Sequence, residues 1–194
     1  MIKNLIFDLV GVIGDFGTKQ IFKHFIELGA TDVWELNNEM DLGYLTGEEF
    51  LIQVRQRCKN TTAEELRREY TAPMILPVEH LEMLRNLRKK YRVFLLSNVG
   101  DMHWQHFVET VESKGYRIED CFDAVFPSFQ THYNKPDARA FENLICTTGI
   151  LPSETIFFDD SPANVQAAID LGLEGVVVKP AFPNPQLENL VKES

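Results

Sequence analysis

Short runs of consecutive apolar residues recur along this chain, separated by longer stretches in which apolar and polar positions follow a helical spacing. Hydrophobicity that is continuous within a run, rather than alternating, is typical of strands that are buried on both faces of a parallel sheet. The runs therefore predict strands at Asn4–Leu9, Arg92–Ser97, Thr155–Phe158 and Gly175–Val178, with a shorter strand at Asp123–Phe126.

Amphipathic helices are predicted between the later strands. One begins at Pro77, a second runs from Asp137 to Gly149, and a third opens at Ser161-Pro162 and ends at Gly172. Their apolar positions, expected to face inward, are Val78, Leu81, Leu84 and Leu87 in the first, Phe141, Leu144 and Ile145 in the second, and Val165, Ala168, Ile169 and Leu171 in the third. Such alternation of strands and helices predicts a Rossmann-like, doubly wound α/β fold with a parallel sheet.

The stretch between the first two strands has a different pattern, because nearly all of it has helical spacing. Residues Thr18–Leu28 place Ile21, Phe22, Phe25 and Ile26 on one stripe, and the pairs Thr46/Glu49 and Thr62/Glu65 have the spacing of capping boxes. A connection of this length is far longer than an ordinary loop. We therefore expect a helical subdomain at residues 16–76, inserted into a core formed by residues 1–15 and 77–194.

Charge and cysteine content narrow the range of partners. The chain has 194 residues and a formal net charge of −10, which disfavours binding to nucleic acid and to anionic membranes. Its three cysteines show no paired spacing, which is typical of a reduced, cytoplasmic protein with buried thiols. The apolar N-terminal segment carries Asp8 and Asp15 and lacks a basic region, so we expect neither a signal peptide nor a membrane span.

Polar and charged side chains follow the predicted strands at the points where these end. Asp8 follows the first strand, Ser97-Asn98 the second, Lys135 comes after the short third strand, and Asp159-Asp160 follow the fourth. The carboxyl ends of parallel strands meet at one edge of the sheet, where ligands bind in open α/β folds. Several carboxylates at one place repel each other unless a cation holds them, and a hard cation such as Mg²⁺ prefers oxygen ligands. The pattern therefore predicts a metal site with a lysine and a hydroxyl beside it.

Four segments in this order, NLIFDLVGVI, LLSN, NKPD and IFFDDSPANV, resemble the four motifs of the haloacid dehalogenase-like hydrolase superfamily. The inserted helical region resembles the cap that many members carry after the first motif. The resemblance implies that Asp8 is a nucleophile that forms a covalent aspartyl-phosphate. It also implies that Mg²⁺ is held by Asp8, the backbone carbonyl of Val10 and Asp159, with Asp160 supporting the metal through water.

The remaining motif residues take roles around the substrate in the same comparison. Ser97 and Asn98 would hold the transferring phosphoryl group, and Lys135 would neutralise that group and the nucleophile. Asn164 would tie the loop of the last motif to its helix. The implied activity is the hydrolysis of a small phosphorylated metabolite by a monomer or a homodimer.

Val10 departs from the pattern of most phosphatases in the superfamily, which carry a second Asp two residues after the nucleophile. That Asp acts as general acid and base, a contribution typically worth about 10²–10⁴ in rate. The segment DLVGVI is similar to the first motif of sugar-1-phosphate phosphatases of the superfamily, which also lack this Asp. We therefore favour a phosphatase acting on a sugar phosphate. The alternatives are a metal-independent 2-haloacid dehalogenase, in which the Asp159-Asp160 pair would be unexplained, and a degenerate binding protein of the same fold.

Other residues with reactive side chains are given structural roles at this point. His103 and His106 have an i, i+3 spacing without a third ligand nearby, so we expect surface or packing positions. Asp15 is a candidate for the missing acid, but we expect it at the hinge or in contact with the inserted region. Trp34 is expected in the core of that region. Asn37–Glu39 are candidates for the wall of a pocket.

Overall fold

Five strands form one parallel sheet in the computed structural model of this protein, which describes residues 1–187 and 189. Their bounds are β1 Asn4–Phe7, β2 Arg92–Ser97, β3 Ala124–Pro127, β4 Thr155–Asp159 and β5 Glu174–Val177, and their order in the sheet is β3-β2-β1-β4-β5. The predicted fold class is confirmed. The strand bounds agree with the predicted ones to within two residues, since β1 ends at Phe7 rather than at Leu9.

Ten α-helices that lie wholly within the described part of the chain accompany the sheet, besides a short 3-10 helix at Pro152–Glu154. They are α1 Thr18–Leu28, α2 Val33–Asp41, α3 Gly47–Arg57, α4 Ala63–Tyr70, α5 Val78–Leu87, α6 Asp101–Ser113, α7 Ile118–Cys121, α8 Ser128–Thr131, α9 Ala138–Thr148 and α10 Pro162–Asp170. In that part of the chain, none of the helices is both long and apolar enough to cross a membrane.

Apolar side chains cover both faces of the sheet, as a doubly wound fold requires. On one face, Phe7 packs in a cluster with Leu84 of α5 and Phe107 of α6. On the other face, Phe157 meets Phe141 of α9 edge to face, with ring centroids 5.1 Å apart. The sheet is thus buried between two helical layers, and its polar residues are confined to the strand ends.

Helices α1–α4 form a core of their own, which contains Phe22, Phe25, Phe50 and Tyr70. Both predicted capping boxes are present, at the starts of α3 and α4. Asp15 and Ile75 face each other across an antiparallel bridge, with N–H···O distances of 2.9 and 2.8 Å, where the chain leaves the sheet and returns to it. We refer to α1–α4 as the cap. The predicted core segment 77–194 includes residues 188 and 190–194, which lie outside the described residues.

Some positions expected to be buried are instead exposed. Val78 is the first residue of α5, Ile26 lies on the outer side of α1, and Ile169 packs over Gly175 of the edge strand β5, where its far side meets solvent. The expectation of buried thiols holds for Cys58 and Cys121 but is wrong for Cys146, which is exposed on α9. Edge and terminal positions explain these differences, because apolar periodicity predicts which face turns inward but not how far the neighbouring layer extends.

Candidate active site

The strand order reverses between β1 and β4, and this is where the candidate site lies. The chain runs outward from β1 in both directions, which opens a crevice at the carboxyl ends of the two central strands. Asp8 follows β1 directly and Asp159 ends β4, and both side chains are buried. Ser97 ends β2 on the other side of Asp8 and is also buried. The parallel register thus brings three of the predicted residues to one point.

Lys135 lies between two of the carboxylates and forms an ion pair with each. Its Nζ is 2.8 Å from Oδ1 of Asp8 and 2.7 Å from Oδ2 of Asp159, and all three side chains are buried. Burial alone would lower the pKa of Lys135, but the two carboxylates raise it above its usual value, so the lysine stays charged. The side chain of Asn98 holds the lysine in place by bonding both main-chain groups of Lys135 at 2.8 Å.

The two oxygens of the Asp8 carboxylate have different surroundings. Oδ1 accepts hydrogen bonds from the main-chain N–H of Leu9, at 2.7 Å, and from Lys135. Oδ2 has no donor among the described residues. An oxygen without a donor in a buried site is available either to a metal ion or for attack on an electrophile. Two donors on the other oxygen fix the orientation of the group.

Asp160 joins Asp8 and Asp159 in a group of three carboxylates whose oxygens lie within 4.8 Å of one another. Burial raises the pKa of Asp8 to about 7, and burial and the charge of Asp159 raise that of Asp160. One lysine cannot balance three carboxylates, so the group keeps an excess of negative charge. The residues present therefore fit a divalent cation with oxygen ligands.

Two further motif residues complete this end of the sheet. Asn164 donates from its amide to both oxygens of Asp159, at 3.0 and 3.1 Å, and so joins α10 to the loop that carries the carboxylates. Ser97 Oγ is buried and has no hydrogen-bond partner within the described part of the chain. A buried hydroxyl without a partner costs free energy unless a ligand supplies one, and a phosphoryl oxygen is a suitable acceptor.

A cavity of about 280 Å³ lies between the sheet and the cap. Its floor includes Val10, Asn98 and Asp160, and its wall on the cap side includes Lys19, Gln20, Trp34, Asn37 and Asp41. The prediction of Trp34 as cap core is wrong, because the side chain is 49% exposed and lines this cavity, although it meets Phe22 edge to face.

Asp41 was not singled out by its place in the sequence. It is the last residue of α2, and its carboxylate accepts a hydrogen bond of 2.7 Å from the amide of Asn37. Because the two residues are spaced i, i+4 on one helix, this pair could have been found from the sequence. Which face of α2 points to the cavity could not, because apolar residues lie on both sides of the pair.

His103 and Asp15 are held in structural contacts. The ring of His103 stacks on Phe16 and Tyr70 with centroids 4.4 and 4.1 Å away, and burial lowers its pKa to about 4, which confirms the expected packing role. Oδ1 of Asp15 accepts a hydrogen bond of 2.7 Å from the N–H of Gly17, next to the bridge with Ile75. Asp15 therefore lies at the hinge, as expected.

Comparison with known proteins adds to this geometry. A family model described as haloacid dehalogenase-like hydrolase matches residues 5–178. D-ribitol-5-phosphate phosphatase of Bacteroides thetaiotaomicron is 32% identical over 187 residues, which cover 90% of each chain. The crystal structure of a haloacid dehalogenase family enzyme from Bacteroides thetaiotaomicron, in complex with magnesium and inorganic phosphate, superposes with a TM-score of 0.82 at 28% identity, covering 93% of this chain and 96% of that one. A predicted hydrolase of this type from Porphyromonas gingivalis gives a TM-score of 0.77 at 26% identity over the full length of both chains.

Proposed function

Because the chain belongs to the haloacid dehalogenase-like hydrolase family, as its four motifs predicted, we propose that it is a magnesium-dependent phosphatase of small phosphorylated sugars or polyols, acting through an aspartyl-phosphate on Asp8. The observation that carries this proposal is a group of three carboxylates, two of them paired with one buried lysine, beside the Ser97 hydroxyl, which has no hydrogen-bond partner among the described residues. The carboxylates have the negative charge to hold a cation, and Lys135 and Ser97 supply hydrogen-bond donors for a phosphoryl group.

Magnesium would be held by Asp8, Asp159 and the backbone carbonyl of Val10, with Asp160 supporting it through water. When bound, the ion offsets negative charge on the phosphoryl oxygens and on the carboxylates. Asp159 is positioned for this role by Asn164 and by the N–H of Ser161, which donates to its Oδ1 at 2.8 Å. These contacts leave the Asp159 carboxylate little freedom to rotate.

In the first step, a carboxylate oxygen of Asp8 forms a bond to phosphorus while the bond from phosphorus to the leaving oxygen breaks. The electron pair of the broken bond stays on the leaving oxygen, which takes up a proton. Lys135 and Ser97 donate to the phosphoryl oxygens and keep the group in line with Asp8. Asn98 serves this arrangement by holding the main chain of Lys135.

In the second step, a water oxygen forms a bond to phosphorus and the bond to Asp8 breaks, which returns the electron pair to the carboxylate. A proton leaves the water, and inorganic phosphate and the free carboxylate result. The cap, which we propose spans residues 16–76 between core segments 1–15 and 77–194, covers the crevice and limits the entry of bulk water.

The character of the cavity wall supports a polyol or sugar as the group that carries the phosphate. Amide, carboxylate and ammonium groups of Gln20, Asn37, Asp41 and Lys19 line the wall beside one aromatic ring, that of Trp34. Polar groups of this kind pair with hydroxyls, and an indole ring covers the C–H face of a sugar. A relative with D-ribitol-5-phosphate phosphatase activity agrees with this choice.

The dehalogenase alternative is less well supported, because a metal-independent site has no use for the acidic pair Asp159-Asp160. The degenerate binding protein is disfavoured by the intact constellation around Lys135. The cytoplasmic location and the monomeric or homodimeric state expected from the sequence stay predictions, as does the absence of nucleic-acid and membrane partners.

The test is a panel of sugar and polyol phosphates, assayed for phosphate release with magnesium and with a chelator. Asp8→Asn should abolish release, while Asp170→Asn, an exposed Asp on α10 paired with Gln166, should leave it unchanged. Chelator-resistant release of halide from 2-chloropropionate would replace the proposal with the dehalogenase. A folded protein that binds magnesium but turns over neither class would point to the binding protein.

A further inference from the structure

Val10 shares the cavity with one carboxyl group that has no part in the two chemical steps described above. Three carboxylates line the cavity in the described part of the chain, those of Asp15, Asp41 and Asp160. Asp160 belongs to the cation group, and Asp15 bonds the N–H of Gly17 at the hinge. Asp41 is the remaining one, and it comes from the cap rather than from the sheet.

Contacts to the core hold the end of α2 in position at the edge of the site. The main-chain N–H of Gly100, two residues beyond Asn98 in the loop after β2, faces the Asp41 carboxyl group and lowers its pKa. The Asp41 carbonyl accepts one of 2.5 Å from Ser128 Oγ, whose oxygen in turn accepts from Val99 N–H at 3.0 Å. The loop that follows Ser97 and Asn98 therefore carries the anchor of Asp41.

The packing around this anchor is close, which limits where the carboxyl group can move. A Cβ atom added to Gly100 would lie 2.7 Å from the side chain of Met40, and one added to Gly43 would lie 2.3 Å from the carbonyl oxygen of Phe129. Glycine at position 43 lets the cap main chain approach that of the core, and glycine at position 100 leaves room for the Met40 side chain. A carboxyl group held this firmly stays in the wall of the cavity that it shares with Val10 and Asp160, on the side from which a substrate would enter.

We propose that Asp41 is the general acid of the first step and the general base of the second, supplying from the cap the proton transfer that Val10 cannot provide. The inference rests on the proposed phosphatase function. In the first step the proton of the Asp41 carboxyl group passes to the leaving oxygen as its bond to phosphorus breaks. In the second step Asp41 takes a proton from the attacking water, which restores its acid form and closes the balance of the cycle.

The protonation state of Asp41 fits both roles. Burial raises its pKa to about 7, and the donors Asn37 and Gly100 offset this only in part. An acid that titrates near neutral pH can both give and take a proton. Its two donors use part of the hydrogen-bonding capacity of the carboxyl group and leave room for a contact to substrate.

Other titratable groups near the cavity are less suited to this task. Burial keeps His103 neutral near pH 7, and its Nε2 faces the carbonyl of Tyr70 at 3.2 Å. Burial, together with the charges of Asp41 and Asp101, raises the pKa of Tyr70 well above its usual value. The charged and titratable groups around Asp41 are Lys19 of α1, Tyr70 of α4, Asp101 and His103 of α6, His132 directly after α8, and Asp160 across the cavity.

The test compares two substrates that differ in their need for a proton. The ribitol of D-ribitol 5-phosphate leaves as an alkoxide unless its oxygen is protonated. The leaving group of p-nitrophenyl phosphate is a stable phenolate, which needs no proton. Asp41→Asn should lower kcat for the first by roughly 10²–10⁴-fold and leave the second within about threefold, as expected for loss of an acid. Val10→Asp added to Asp41→Asn should restore turnover of the alkyl phosphate.

Equal losses on both substrates would show that Asp41 only anchors the cap, and no loss on either would also overturn the proposal. A leaving-group-selective loss in Asp15→Asn instead would assign the acid to Asp15. These outcomes concern Asp41 alone, because turnover of p-nitrophenyl phosphate by the unaltered protein tests the phosphatase function separately. If the unaltered protein turns over neither substrate, the phosphatase function and this inference fall together.

A second measurement covers the case in which Asp41→Asn does not fold. Asn37→Ala removes a donor that lowers the pKa of Asp41, so this pKa should rise. Because the acid form of Asp41 is the active one in the first step, the alkaline limb of the kcat/KM profile for D-ribitol 5-phosphate should move to higher pH. An unmoved limb, or one moved to lower pH, would contradict the assignment.

Discussion

Gly11 offers a direct test of how the position of Asp160 governs magnesium binding. Its φ is +87°, and a Cβ atom added there would lie 2.7 Å from both Cγ and Oδ2 of Asp160. To reach ordinary contact the carboxylate must move by about 0.7 Å, away from Asp8 and Asp159 or into a different rotamer. Gly11→Ala should therefore weaken magnesium binding by roughly 10–100-fold, the range typical when a group supporting a metal is lost.

Gly172 supplies a matched control for the backbone part of this change. It has the same φ of +87°, but a Cβ atom there would meet only Pro152, at an ordinary 3.7 Å. Both alanine variants should lose about 1–2 kcal/mol of unfolding free energy, because each forces a side chain into the left-handed region. Of the two alanine variants, Gly11→Ala alone would place a methyl group against Asp160.

Two measurements separate these effects. Urea unfolding in the presence of a chelator gives the stability of each metal-free variant, and calorimetric titration with magnesium gives its affinity. We expect similar losses of stability and a loss of affinity only in Gly11→Ala. Equal magnesium affinities in the two variants would refute the reasoning, since the shifted carboxylate would then have no part in holding the ion.

Three further predictions concern buried polar groups of the site and its surroundings. Ser97→Ala should leave unfolding free energy nearly unchanged, because the hydroxyl has no partner within the described residues, but should raise the inhibition constant of inorganic phosphate by about tenfold, the free energy of one hydrogen bond to a charged group. Lys135→Met should destabilise the metal-free protein by about 3–5 kcal/mol in urea unfolding at pH 8, since it leaves the buried carboxylates of Asp8 and Asp159 uncompensated, and added magnesium should reduce that loss. The pKa of His103 is about 6.5 in the unfolded chain and about 4 when the ring is buried. Its contribution to the unfolding free energy is therefore present above pH 6.5 and is lost as the pH falls towards 4. Over that range the unaltered protein should lose about 3 kcal/mol relative to His103→Gln, and parallel pH curves for the two would contradict this.

The apolar runs predicted the parallel sheet well because a strand covered on both faces leaves little choice of side chain. The same logic placed Asp8 and Asp159 together, since parallel strands that are neighbours in the sheet bring their carboxyl ends to one edge. The spatial order of the strands follows from a reversal at β1 that no local pattern encodes. Even without that order, the residues at the strand ends were enough to predict which side chains form the floor of the site.

The wall of the site was harder to predict, because it depends on how the cap rests on the core. Trp34 was expected inside the cap and instead borders the cavity, although it meets Phe22 of the cap core edge to face. The sequence does not distinguish Asp41 from a solvated surface residue, because a single acidic residue at a helix end is usually solvated. Its environment is created by Gly100 and Ser128, which are distant in sequence.

Placing the acid on the cap has a consequence for the order of events. If Asp41 supplies the proton, the leaving group can be protonated only while the end of α2 rests on Gly100 and Ser128. An open cap would then admit substrate to Asp8 without a proton donor, and closure would bring the donor and exclude bulk water in one movement. A carboxylate at position 10 would be present in both states. With valine at position 10, turnover of substrates with poor leaving groups therefore depends on closure of the cap over the core.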